Sequence, residues 1–186
     1  FAALIAYAAN QTQDKVGLIL FSDGIEKFIP PKKGKSHVWQ VIRTILTYKP
    51  TGIKTNVNAA LKYLNEVVSR TAVTFVISDF LTEPFYERLR VAQVRHDIIP
   101  VVIRDPIENE FSKKHRFLFR DVESGNIREI DLSQKKNREI FAQRNLSEAN
   151  RLKKSFDQLG LDSLFLLVGQ DYLKPLLKLF RLREHR

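Results

Sequence analysis

Three oxygen-bearing side chains stand where α/β proteins usually do their chemistry. Asp79 closes the run TAVTFVISD, rich in β-branched and aromatic residues. Asp105 closes a second such run, IIPVVIRD. Thr55 lies at the junction of the loop Pro50–Lys54 and the helix that follows. In open α/β sheets, ligands bind beyond the carboxyl ends of the strands, so a carboxylate there is placed for function. Hydroxyl and carboxylate oxygens suit a hard cation such as Mg²⁺. Two or three such donors do not complete an octahedral shell, and Asp79 could equally cap the next helix.

Other chemistries lack their residues. The chain has no Cys, which excludes disulfides, thiolate catalysis and Cys-based zinc sites. His37, His96, His115 and His185 have no metal-ligand spacing with one another. His96 is expected to be a surface residue at a helix end. There is no GxSxG and no glycine-rich dinucleotide loop, and Lys32-Lys33-Gly34-Lys35 lacks the spacing of a phosphate-binding loop. The net charge of +10 calls for an acidic partner: nucleic acid, membrane headgroups or an acidic protein surface. Against nucleic acid, the basic residues are interspersed with Asp and Glu, and no aromatic–basic stacking motif is present. No apolar run approaches the ~20 residues that span a bilayer, and no signal peptide is visible.

The elements that must position Thr55, Asp79 and Asp105 follow from hydrophobic periodicity. Phe1–Asn10 reads as a helix. Val16–Phe21 is expected to be a buried parallel strand, and Ile25–Ile29 an antiparallel edge strand stopped by Pro30-Pro31. Ser36 is placed to cap a helix whose apolar face is Val38, Trp39, Ile42, Ile45 and Leu46, with Trp39 in the core. Thr55, Asn56 and Asn58 compete to cap the next helix, which buries Val57, Leu61, Leu64 and Val68. It leads into the strand Thr71–Asp79. A helix from Thr82 to about His96 supplies Phe85, Leu89 and Val94 to the core. Ile98–Ile103 is a third buried strand, with Pro100 implying an early strand position or an irregularity. Phe117–Val122 and Ile127–Leu132 read as a hairpin around Glu123–Asn126. Ser133–Leu159 is a long charged helix capped by Gly160, Ser163–Val168 a last strand, and Asp171–Arg183 a closing helix. Alternation of strands and helices over residues 1–186 predicts one α/β domain with a doubly wound, mostly parallel sheet. The chain has no Met and opens in the middle of a helix pattern, so it is expected to be part of a longer protein.

The motifs LILFSDGIEKFIPPKKG, GIKTNVNAAL, FVISDF, RDP, DVESG and DYLKPLLKLF, in this order, resemble a von Willebrand factor A-like domain. More narrowly, they resemble the bacterial group called domain of unknown function 58. The resemblance covers essentially the whole chain. It implies a three-layer, Rossmann-type sandwich with a metal-ion-dependent adhesion site at its carboxyl edge. Thr55 matches the family threonine and Asp79 the family aspartate of that site. The family's Asp-x-Ser-x-Ser motif is absent, so the first central strand is expected to be missing and metal binding by this chain alone to be weak or nil. The metal implied is Mg²⁺ or Mn²⁺. Whether Asp23 or Asp105 joins the site stays open. The implied role is a cytoplasmic, non-enzymatic, metal-dependent protein-interaction module, an adaptor or chaperone-like partner of a MoxR-type AAA+ ATPase. The alternative is a basic nucleic-acid-binding domain. A missing central strand would also expose sheet edges and invite self-association.

Overall fold

The hairpin signal Ser22-Asp23-Gly24 joins two strands, β1 (Val16–Phe21) and β2 (Ile25–Lys32), which pair antiparallel with Leu18 opposite Ile29 and Ile19 opposite Phe28. These coordinates are a computed structural model that describes residues 1–82, 84–105, 116–120, 127–131 and 134–184. The described residues form two compact units, one of Phe1–Thr71 with Phe80–Arg95 and one of Ala72–Asp79 with His96–Arg186. Their architecture is mixed α/β: a three-stranded parallel sheet and two antiparallel pairs.

In the first unit the order is α1 (Ala2–Gln11), β1, β2, α2 (Lys35–Thr47), α3 (Val57–Val67) and α4 (Tyr86–Gln93). Among the described residues the strand neighbour of β1 is β2, so the expected parallel pairing of β1 is corrected to antiparallel. A short turn can return a chain only antiparallel, and a parallel neighbour needs a long crossover. With one strand neighbour β1 is half-buried, not enclosed. The expected stop at Pro30-Pro31 is also corrected, because β2 runs through both prolines to Lys32. The register shifts there, between Val16 and Leu18, so the prolines form a bulge opposite Gly17. A Cβ on Gly17 would lie 2.9 Å from Pro31 Cγ.

One core cluster of this unit joins Ala6 of α1, Ile29 of β2 and Val38, Val41 and Ile42 of α2, with Ala3, Val16, Leu18 and Ile45 packed around it. Trp39, expected in the core, is 54% exposed. The helix turns its Val38–Val41–Ile42–Ile45 stripe inward, which puts position 39 outside the arc. Gly34, not Ser36, holds the N-cap position of α2. Asn56 wins the capping competition on α3, its side chain accepting from Ala59 N–H at 2.9 Å. The buried face of α3 is Val57, Ala60, Leu61 and Leu64. Helix α4 buries Leu89 and Ala92, preceded by buried Phe85, while Val94 is 86% exposed because the helix has already ended.

In the second unit β3 (Val73–Ser78), β4 (Asp97–Arg104) and β7 (Leu164–Leu167) form the parallel sheet in the order β3-β4-β7. The central strand β4 is buried from Ile98 to Val102, as a strand flanked on both sides must be. Pro100 lies opposite Val76 in an unbroken β3–β4 register, so the expected irregularity is absent. The β4–β7 ladder begins only at Val101, so one flank of Pro100 is not yet paired and its missing N–H is tolerated there. His96, expected at the surface, is 2% exposed at the entry to β4.

β5 (Arg116–Arg120) and β6 (Ile127–Asp131) form the expected antiparallel pair; its turn lies outside the described residues. Helix α5 (Lys135–Gln158) buries Leu152 and Phe156 and exposes Ile140 and Leu146. Gly160, at φ +69°, ends it as expected. Gly160 N–H donates to the Asp157 carbonyl at 3.0 Å and Leu161 N–H to Phe156 at 2.9 Å, a Schellman motif. Helix α6 (Leu173–Glu184) buries Leu176 and Leu179. Its Arg183 guanidinium donates to both oxygens of Asp97, at 2.6 and 2.9 Å, and through Nε to Asp162 at 2.8 Å. No described helix is long and apolar enough to cross a membrane.

Candidate functional site

The loop between α2 and α3 has no regular structure, so its backbone N–H groups need acceptors from elsewhere. The turn between β1 and β2 supplies them. Glu26, at the start of β2, accepts from the N–H groups of Thr51 at 3.0 Å and Gly52 at 2.8 Å. Asp23 accepts from Ile53 N–H at 3.2 Å and Lys54 N–H at 2.6 Å. The Ser22 carbonyl accepts from Asn56 N–H at 2.8 Å. Two carboxylates and one carbonyl of the 22–26 turn thus hold the backbone that carries Thr55.

Glu26 also receives hydroxyl donors: Ser22 at 2.5 Å, Thr51 at 2.8 Å and Tyr48 at 3.0 Å. The Ser22 hydroxyl first, then Gly52 N–H, Thr51 and Tyr48, hold the Glu26 carboxyl down at about 2 from its ordinary 4.5, with desolvation opposing them. The same contact raises the Tyr48 phenol above its ordinary value. Gly52 is required by the closeness of the turn. A Cβ there would overlap Ser22 Oγ and lie 2.8 Å from both Asp23 Oδ2 and Ser22 Cβ.

Thr55 is half-buried inside this frame. Its carbonyl accepts from the Thr82 hydroxyl at 2.5 Å. Its own hydroxyl makes no hydrogen bond among the described residues. In the other compact unit, Asp79 follows β3 directly and is half-buried, with the Ser78 hydroxyl 3.4 Å from its Oδ1. Phe80, the next residue, is buried with φ +56°, an uncommon conformation for a bulky side chain and one that clusters at functional turns. Asp105 follows β4 and is exposed. Ser78 pairs with Val102, so Asp79 and Asp105 stand at the carboxyl ends of adjacent parallel strands, with Asp105 further along. Asp79 and Asp105 therefore share one sheet end, whereas Thr55 belongs to the first unit.

The donors named from sequence fit a hard cation in kind, being carboxylate and hydroxyl oxygens, but fall short in number. Among the described residues no group of three or more His, Cys, Asp or Glu is placed to hold a metal ion. Asp23, left open by the sequence, is committed through both oxygens to the Ile53 and Lys54 amides. Sequence reasoning missed Glu26, Gly52 and Thr82. The available signal was TGIKT itself, a stretch of backbone donors outside any helix or strand, with a Ser-Asp-Gly-Ile-Glu turn to satisfy it.

Relatives of this chain occur in mycobacteria. An uncharacterized protein of Mycobacterium tuberculosis is 24% identical over 180 residues, covering 95% of this chain and 56% of the relative. One of Mycobacterium bovis matches to the same extent. An uncharacterized protein of Mycobacterium avium is 23% identical over 159 residues, 84% of this chain and 94% of the relative. The chain thus spans just over half the length of the first two relatives. No solved structure matches it. The profile of the DUF58 family, described as a protein of unknown function, matches residues 1–151, and the chain belongs to that family.

Proposed function

We propose that this chain belongs to a cytoplasmic, non-enzymatic, metal-dependent protein-interaction module built on a doubly wound, von Willebrand factor A-like sheet. Its partner is a MoxR-type AAA+ ATPase, for which it acts as an adaptor. One observation supports this reading above others: the backbone around Thr55 is held from several sides while its hydroxyl makes no hydrogen bond among the described residues. A hydroxyl kept available on a held loop suits a ligand that arrives from outside.

Thr55 and Asp79 are each assigned as a ligand of Mg²⁺ or Mn²⁺, with Asp105 a neighbour of Asp79 at the same sheet end. Bound there, the cation offers a coordination position to a partner's carboxylate, which neutral side chains contest poorly against water. The remaining donors come from outside the residues named here. Beside Thr55, Ile53 is 71% exposed and Lys54 is also exposed, an apolar and a basic contact suited to an acidic protein surface. The net charge of +10 speeds encounter with such a partner. It equally supports the second reading, nucleic-acid binding, whose mark would be an affinity that falls steeply with salt.

The test is association of the full-length protein with a MoxR-type ATPase, followed by calorimetry. Binding should be lost in EDTA, restored by Mg²⁺, and lost in Thr55→Ala. Binding indifferent to EDTA and to Thr55→Ala would overturn the reading.

A further inference from the structure

The 22–26 turn is more than a hairpin connection. Its contacts run over the four consecutive peptides 51–54 and then 56: Glu26 accepts from the N–H groups of 51 and 52, Asp23 from those of 53 and 54, and the Ser22 carbonyl from that of 56. On the other side the Thr82 hydroxyl takes the carbonyl of 55. Within this frame the Thr55 hydroxyl makes no hydrogen bond among the described residues.

We propose that Asp23 and Glu26 are positioning residues, a carboxylate clamp that fixes the 51–56 loop in one conformation and presents the Thr55 hydroxyl in one place. The consequence for metal binding rests on the function proposed above; the clamp itself rests on the hydrogen bonds alone.

Three features make the clamp specific to carboxylates. Each Asp23 oxygen accepts from a backbone N–H, so an amide there would set an NH₂ against an N–H, and an amide at Glu26 would force the Thr51 and Tyr48 hydroxyls to turn from donating to accepting. Charge-assisted bonds to N–H are about twice as strong as neutral ones, so lost charge weakens every bond together. Gly52 lets the turn approach, since a side chain there would collide with Ser22. Ligand-supporting contacts of this kind, when removed, cost about 10–100-fold in metal affinity.

The experiment uses the full-length protein and two readouts. Hydrogen exchange should show the amides of Gly52, Ile53 and Lys54 protected. Glu26→Gln should accelerate exchange across 51–54 while α3 stays protected. Tyr48→Phe, which removes one donor and no charge, should do the same to a smaller extent. Mn²⁺ titration followed by electron paramagnetic resonance should show about tenfold weaker binding in Glu26→Gln. Rapid exchange of these amides in the wild type, or no acceleration in Glu26→Gln, would overturn the clamp. Accelerated exchange with Mn²⁺ affinity untouched by Thr55→Ala would sink the metal reading and leave the clamp standing. Accelerated exchange with affinity lost in Thr55→Ala but unchanged in Glu26→Gln would overturn the positioning role.

Discussion

At the scale of single residues, Glu26 makes the clearest claim. Its carboxyl is held at about 2 against an ordinary 4.5, chiefly by the Ser22 hydroxyl. A depressed pKa means the unfolded chain takes up the proton first as pH falls. The stabilisation is therefore fully present above 4.5 and is lost as pH drops from there toward 2. Between those values the wild-type protein should lose stability more steeply than Glu26→Gln, as read from urea midpoints across the acid range. Parallel acid profiles would contradict the assignment. Little of this was legible beforehand. Thr55 could be named because a hydroxyl at a loop–helix junction is visible in a string of letters. The partners of its loop could not, because Glu26 and Asp23 bind backbone groups 25 and 31 residues away, and backbone amides carry no residue-type signature.

At the scale of elements, periodicity located the strands and helices but not always their faces. Helix α2 is apolar over a wide arc, so Val38 and Ile42 fixed the inward direction only once β2 and α1 were in place, and Trp39 fell outside. Pro100 misled for a related reason: a proline argues against a central strand until the stagger of the third strand is known. Gly160 was legible because a C-cap is local chemistry. The tie between α6 and the sheet was not. Arg183 grips Asp97 at the start of β4 and Asp162 just before β7. Asp97, opposed by desolvation and aided by Asp162, raises the Arg183 pKa above its ordinary value, so the guanidinium stays charged. Arg183→Ala removes the cation that both carboxylates hold. It should lower unfolding stability by about 1–3 kcal/mol, given partial exposure of the pair. A urea midpoint that moves at constant slope would bear this out; an unmoved midpoint would show that helix packing alone holds α6.

At the scale of the whole molecule, the alternation of strands and helices reads out as a parallel sheet order β3-β4-β7 and an antiparallel β1–β2 pair. Strand β1 has one strand neighbour among the described residues, and its half-exposure follows from that. The proposal with the widest reach is that Thr55, on its clamped loop, and Asp79, at the end of β3, are each cation ligands. The most direct measurement is thermal unfolding of the full-length protein against Mg²⁺ concentration, with Thr55→Ala and Asp79→Ala alongside. Mg²⁺ at a hundred times its dissociation constant adds about 2.7 kcal/mol to a native state that binds it. The account predicts a midpoint that climbs with Mg²⁺ in the wild type and stays level in both variants. A level wild type, or variants that climb with it, would contradict the account.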